Sequence, residues 1–434
     1  MPRPKGKKDA VRFSVSLDPQ LYAKLLRIAE SNDVSLSWTV RRAVSEFVEP
    51  KTKLDRPSYP SRNLHPRSDM SRAVPIYLDY QATTPLDPDV RAAMLPFLEE
   101  RFGNPHSEHA LGWNAAEAVD DARRAVAALI GAAPGEIILT AGATEANNLS
   151  LIGAAQRTKR RHILVSAIEH KCVLMPAAAL SEQGFEVETI PVTLDGMVDL
   201  EKLALLIRPD TAVVSVMSAN NEIGTLQPLA EVGTLCTEVG ALFHTDAAQL
   251  AGKQPIDVMA LGIDLLSLSA HKFYGPKGIG ALYISGNARS QIAPIIHGGG
   301  QQDGIRAGTL APMLCAGLAA AAEKALSEQA SDEVHSQALR HRILSRLRAT
   351  LPGIQVNGSE ARSLSGCLNI RIPGVDAHGL LMMLQAELAA SVGSACNAGL
   401  MESSYVLSAI GLSPDEARAS LRLGFGRFTT IYEI

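Results

Sequence analysis

Four apolar runs of similar length, each closing on polar residues, constrain this chain more than any other feature. They are "HILVSAIEH" (162–170), "AVVSVMSAN" (212–220), "ALFHTDAAQ" (241–249) and "DLLSLSAHK" (264–272). Short, near-continuous apolar segments bounded by turn residues read as strands buried on both faces. Helix-like stretches such as "AAEAVDDARRAVAALIG" (115–131) accompany such runs. Strand and helix in alternation from Ile76 onward predict an α/β domain. In open α/β sheets, ligands bind beyond the carboxyl ends of the strands. The polar residues that close the runs should therefore converge: Glu169 and His170, Asn220 and Asn221, Asp246 and Gln249, Ser269 with His271 and Lys272.

That set holds a lysine, two carboxylates, two histidines and a hydroxyl, and no Cys/His spacing suited to a metal. A lysine held partly out of water after "SLSAH" is suited to a Schiff base with a carbonyl cofactor. A carboxylate at another strand end, Asp246, matches the need of pyridoxal phosphate for a partner at its ring nitrogen. "TAGATEANN" (140–148) places small residues before a predicted helix start, where a phosphate group is favoured. Taken singly, Lys272 could be a surface lysine, Asp246 a helix cap and the glycine loop a plain turn.

The front of the chain differs in kind. Residues 1–73 carry 15 Lys and Arg against 8 Asp and Glu, a balance of +7, and the remainder carries −11, giving −4 overall. "VRFSVSL" (11–17) alternates like a half-buried strand, and "DPQLYAKLLRIAESNDVS" and "LSWTVRRAVSEFV" read as two helices. One strand and two helices are too few for an independent core. The pattern over residues 1–48 resembles a ribbon-helix-helix domain, in which two chains pair their strands and present the ribbon to DNA. By that resemblance Arg12, Ser14 and Ser16 face the bases; the other reading is a basic dimerisation element with no DNA target. Residues 49–73 are Pro-rich and polar and predict a flexible linker.

With 434 residues, 46% hydrophobic and 20% charged, the chain suits two to four globular domains. No apolar run approaches twenty residues and no signal segment opens the sequence, which argues against membrane spanning and secretion. Five scattered cysteines predict free thiols and a cytoplasmic setting. Cys172, Cys236, Cys315 and Cys367 sit in apolar or regular segments, whereas "SVGSACNAGL" (391–400) surrounds Cys396 with small residues and has no period. It predicts a mobile loop with a thiol at its tip.

The motifs "YLDYQATTPLDP", "FGNPHS", "TAGATEANN", "EHKCVL", "NNEIGTLQP", "FHTDAAQ", "SAHKFYGPKGIGALY", "RAGTL" and "GSACNAG" occur in one order. In that order the chain, over roughly residues 75–430, resembles the pyridoxal-phosphate-dependent cysteine desulfurases of the NifS/IscS type. The resemblance implies the fold type I, aspartate-aminotransferase-like architecture: a PLP-binding large domain (74–325, with a large mixed sheet) and a small α+β C-terminal domain (326–434). It implies a homodimer with active sites at the subunit interface. Lys272 corresponds to the lysine that binds the cofactor and His170 to the histidine stacked on its ring, which also serves in proton transfer. Asp246 is the implied partner of the pyridine nitrogen, and Gln249 and Asn221 lie near the ring hydroxyl and the substrate. Ala143, Thr144, Ser269 and His271 form the implied phosphate cradle, with Thr309 supplied by the neighbouring subunit. Arg422 is the implied grip on the substrate carboxylate, and Cys396 the sulfur-accepting thiol.

The implied reaction takes L-cysteine to L-alanine, leaves a persulfide on Cys396 and passes sulfur to an acceptor protein. Iron–sulfur assembly, tRNA thiolation and DNA sulfur modification are the expected destinations. The long small-residue insertion after Cys396 favours the group that delivers sulfur to partners; selenocysteine lyase chemistry and a DNA-binding regulator with a desulfurase-like body are the alternatives. Relatives usually carry a helix and tail beyond "GRFTT", whereas this sequence ends "RFTTIYEI". The expectation is either a truncated small domain or an altered docking of the acceptor.

Overall fold

The computed structural model describes residues 74–392 and 404–434. The ribbon-helix-helix-like segment with Arg12, Ser14 and Ser16, the linker, and the run containing Cys396 lie outside the described residues. The described chain belongs to one unit, Arg72–Ile434.

Its strands, in chain order, are β1 (Ile76–Tyr77), β2 (Ile137–Thr140), β3 (His162–Ser166), β4 (Glu186–Ile190), β5 (Thr211–Ser215), β6 (Leu242–Asp246), β7 (Leu265–Ser269) and β8 (Gly280–Ile284). After them come β9 (Gln355–Val356), β10 (Cys367–Arg371), β11 (Leu388–Ala389) and β12 (Ser420–Gly424). The helices used below are α1 (Ala110–Ile130), α2 (Ala143–Arg157), α3 (Lys171–Glu182), α4 (Pro312–Thr350) and α5 (Tyr405–Ala409).

Seven strands form the main sheet in the order β2-β8-β7-β6-β5-β3-β4. Neighbours from β4 through β7 are parallel, while β8 runs antiparallel to both β7 and β2, so the sheet is mixed. All residues of β3, β5, β6 and β7 are buried, which is why their sequences are apolar rather than alternating. The expected helix over 115–131 is α1. It starts earlier because His109 Nδ1 caps it, accepting from Gly112 N at 3.2 Å, and it ends where Gly131 adopts φ +72°. A left-handed cap of that kind favours glycine.

A second sheet, β12-β10-β9, is antiparallel and packs on Leu339, Ile343 and Leu344 of α4. The expected boundary at 325/326 falls inside α4, which is continuous for 39 residues. β1, placed with the large domain by sequence, pairs in parallel with β11, and Leu78 packs into the same apolar cluster as β10 and β12. The first described residues thus join the cluster of the smaller sheet, and further on Thr84 N donates to His271 O, just beyond β7, at 3.0 Å. No helix among the described residues is long and apolar enough to cross a membrane.

Candidate active site

The carboxyl ends of β2, β3, β5, β6 and β7 open on a cavity of about 940 Å³. Ten of the residues singled out in the sequence line it: Ala143, Thr144, His170, Asn221, Asp246, Gln249, Ser269, His271, Lys272 and Arg422. The sheet topology brings the first nine together, and β12 of the smaller sheet supplies Arg422. Thr309 is exposed and does not line this cavity. Ser391 and Ser404, which flank the run containing Cys396 on either side, do line it.

Lys272 follows β7 on a single 3-10 turn, Ala270–Lys272, and its Nζ donates to the carbonyls of Gln81 at 2.5 Å and Ala82 at 3.0 Å. Burial first, and then the nearby Arg422 cation, lower its pKa to about 8 against the pull of Asp246 and Asp79. An amine in that range has a substantial neutral fraction near neutral pH and can act as a nucleophile or base. Burial, helped by Lys272, Lys277 and Lys253, lowers His271 to about 4, so its ring is neutral; its Nδ1 lies 3.1 Å from Thr83 Oγ1.

Asp246 closes β6 with both carboxylate oxygens engaged: Oδ1 accepts from Ala248 N at 2.9 Å and Oδ2 from Asn147 Nδ2 at 2.7 Å. His170 caps α3, its Nδ1 accepting from Cys172 N at 3.1 Å. Gln249 Nε2 donates to Gln81 O at 3.0 Å, and Gln249 Oε1 accepts from Lys253 Nζ at 3.1 Å. Arg422 pairs with Asp79 at 2.7 Å and donates to Asn221 O at 3.0 Å, while its Nε is buried with no partner among the described residues. Asn221 Oδ1 is likewise buried and unpartnered.

These orphaned atoms, with the turn before α2, test the fit of the cofactor expected from sequence. Gly142 takes φ +150°, a conformation that favours glycine, and a Cβ there would stand at van der Waals distance, 3.6 Å, from Ser269 Oγ between the start of α2 and the end of β7. Gly280 on β8 backs the same turn, where a Cβ would come within 2.7 Å of Gly142 Cα. The start of a 15-residue helix beside Ser269 and His271 is a place for a phosphate. Lys272 is suited to the carbonyl and Asp246 to the ring nitrogen. The residues present fit pyridoxal phosphate.

Several contributors escaped the sequence reading. Asp79 and Gln81 come from the first described loop, and Glu222 and Tyr405 from elements far along the chain. Glu222 is buried, burial raises its pKa, and its carboxylate accepts from Ser404 Oγ at 2.6 Å. The only local signal for Asp79 and Glu222 was membership of the quoted motifs.

A mixed sheet with a lysine, a carboxylate and an arginine gathered at its strand ends is the arrangement of a fold type I enzyme. Residues 76–434 match the Aminotransferase class-V family, and residues 11–51 match the Ribbon-helix-helix protein, copG family. The chain is 48% identical over 371 residues to the mitochondrial cysteine desulfurase of Drosophila melanogaster, covering 85% of this chain and 80% of that protein. It also resembles a solved NifS-like protein (TM-score 0.77, 35% identity, 83% of this chain and 96% of the other). SspA solved in complex with cysteine gives a TM-score of 0.73 at 36% identity, covering 82% of this chain and all of that one. The chain belongs to the class-V aminotransferase family and, within it, to the cysteine desulfurases.

Proposed function

We propose that this chain converts L-cysteine to L-alanine and retains the sulfur on Cys396 as a persulfide. One observation carries the reading: Lys272, Asp246 and Arg422 line one cavity whose wall includes both flanks of the run containing Cys396. The cysteine-bound relative is in accord with the substrate.

Pyridoxal phosphate, when bound, supplies a carbonyl for the substrate amine and an electron sink for the bonds at its α-carbon. Asp246 keeps the ring nitrogen of that group protonated, and Ala143, Thr144, Ser269 and His271 hold its phosphate. Arg422 binds the substrate carboxylate, for which its unpartnered buried Nε is suited. The Lys272 amine takes the α-proton. The Cys396 thiolate then attacks the substrate sulfur: a new S–S bond forms, the Cβ–S bond breaks with its electrons left on the alanine fragment, and a proton completes alanine. The acceptor is a thiol-bearing sulfur-transfer protein or an iron–sulfur scaffold. By the family resemblance the protein is a homodimer, to which the exposed Thr309 contributes at the second copy's cavity.

The test is production of alanine and sulfide from L-cysteine with a reductant present. Lys272→Ala and Cys396→Ala should each abolish sulfide release. Undiminished turnover by Cys396→Ala would rule out the persulfide route.

The match of residues 11–51 to ribbon-helix-helix proteins favours a second activity, DNA binding through residues 1–48 with Arg12, Ser14 and Ser16 toward the bases.

A further inference from the structure

The hydrogen bonds around His170 leave one ring nitrogen a single role. The peptide N–H of Cys172 points at Nδ1 from 3.1 Å, and a peptide N–H can only donate. Nδ1 is therefore an acceptor, and in the neutral ring the proton sits on Nε2. Protonating Nδ1 would set two donors against each other and strip α3 of its cap.

A helix cap needs only that contact, yet more is built here. Cys172 Sγ lies 2.8 Å from the same Nδ1. Burial pushes this thiol up to about 12, with Asp246 adding to the effect, so it keeps its proton. Its S–H has two acceptors within reach, Nδ1 at 2.8 Å and Asp246 Oδ2 at 3.9 Å, and the ring is nearer. Asn147 then divides its amide hydrogens: Nδ2 lies 3.0 Å from Cys172 Sγ and 2.7 Å from Asp246 Oδ2. Three elements, α2, α3 and β6, thus join carboxylate, amide, thiol and imidazole in one chain of contacts. Nε2 has no hydrogen-bond partner among the described residues, on a side chain that lines the cavity.

We propose that Cys172 and Asn147 are positioning residues that fix His170 as the Nε2–H tautomer, so that this histidine meets L-cysteine as a hydrogen-bond donor to its sulfur and not as the acceptor of its thiol proton. The substrate assignment rests on the desulfurase reading above; the tautomer rests on geometry alone. A donor at Nε2 favours the substrate's thiolate over its thiol. The charged groups acting on the ring agree with a neutral form. Burial lowers its pKa, Lys272 after β7 and Lys171 beside it on α3 act in the same direction, and Asp246 on β6 opposes them.

The experiment is a long-range proton–nitrogen NMR spectrum of the holoenzyme labelled with ¹⁵N-histidine, with His170 assigned by its loss in His170→Gln. The expected pattern at pH 7 is a protonated Nε2 and a bare Nδ1. A protonated Nδ1, alone or in an imidazolium, overturns the tautomer. In Cys172→Ala the ring loses one donor at Nδ1, and its proton affinity should rise about tenfold, roughly the worth of one hydrogen bond. Asn147→Ala should shift it in the same direction, and Cys172→Ser, which keeps a donor, should leave it as in the parent. An unchanged midpoint in Cys172→Ala overturns the positioning role. The spectrum is read without turnover, so a parent enzyme that forms no alanine from L-cysteine would sink the desulfurase reading and leave the tautomer standing.

Discussion

Lys272 has to be uncharged part of the time if it is to attack a carbonyl or take a proton, and its surroundings provide for that. At pH 7.5 an amine of pKa 10.5 is about 0.1% neutral, whereas one of pKa about 8 is about a quarter neutral. Burial is the largest cause of the shift and the Arg422 cation the next. In cofactor-free protein, acetylation of Lys272 by acetic anhydride, followed by mass spectrometry, should therefore titrate near pH 8. Arg422→Gln should move that midpoint upward and raise the KM for L-cysteine by about tenfold to a hundredfold, since it removes a charged hydrogen-bond donor. A midpoint near 10.5 in the parent would show the amine to be solvated. Lys272, Asp246 and His170 were legible because each closes an apolar run. Asp79 was not legible as the partner of Arg422: the two lie 343 residues apart, and no local pattern encodes such a pairing.

The central strands are held across the sheet by a polar contact as well as by their backbone ladders. His244 on β6 is fully buried, with Nδ1 2.8 Å from Ser215 Oγ on β5 and Nε2 3.1 Å from Ser267 Oγ on β7. Two hydroxyls suit a neutral ring, since one can donate and the other accept. Burial lowers the pKa of His244 to about 4, against the pull of Asp246. The unfolded chain takes up a proton at about pH 6.5 while the folded chain does not, so stability present above that pH is lost as pH falls toward 4. The loss amounts to about 3 kcal/mol over the window. Denaturant unfolding at pH 7 and pH 4.5 should show a smaller drop for His244→Gln than for the parent; equal drops would show that the ring titrates normally. Strands β3, β5, β6 and β7 could be read from sequence because burial on both faces makes them continuously apolar. β4 escaped because it sits at the sheet edge and four of its five residues are exposed or half-buried. β9 and β11, at two residues each, are too short to show a period and exist only through their partners.

At the scale of the whole molecule, two family matches divide one chain, residues 11–51 and 76–434, and the charge divides with them, +7 over residues 1–73 against −11 beyond. An acidic body would repel DNA, so any affinity for it has to come from the front segment. Ribbon-helix-helix strands act in pairs, so two chains are needed for one reading surface, and a homodimeric body would supply the second chain at no further entropic cost. The full-length protein should accordingly bind duplex DNA with an affinity that falls linearly with salt on logarithmic axes. Arg12→Ala should flatten the preference among DNA sequences, because the ribbon-helix-helix resemblance assigns Arg12 to the bases. Lys7→Ala and Lys8→Ala should weaken binding to all sequences alike and each lower the salt slope by about one. Fluorescence anisotropy with a pool of labelled duplexes, at several salt concentrations, measures both effects. If the parent fails to bind at about 50 mM salt, where phosphate contacts are strong, the front segment is not a DNA reader. L-cysteine turnover measured on the same variants should not change, since none of these three residues is assigned a part in the reaction.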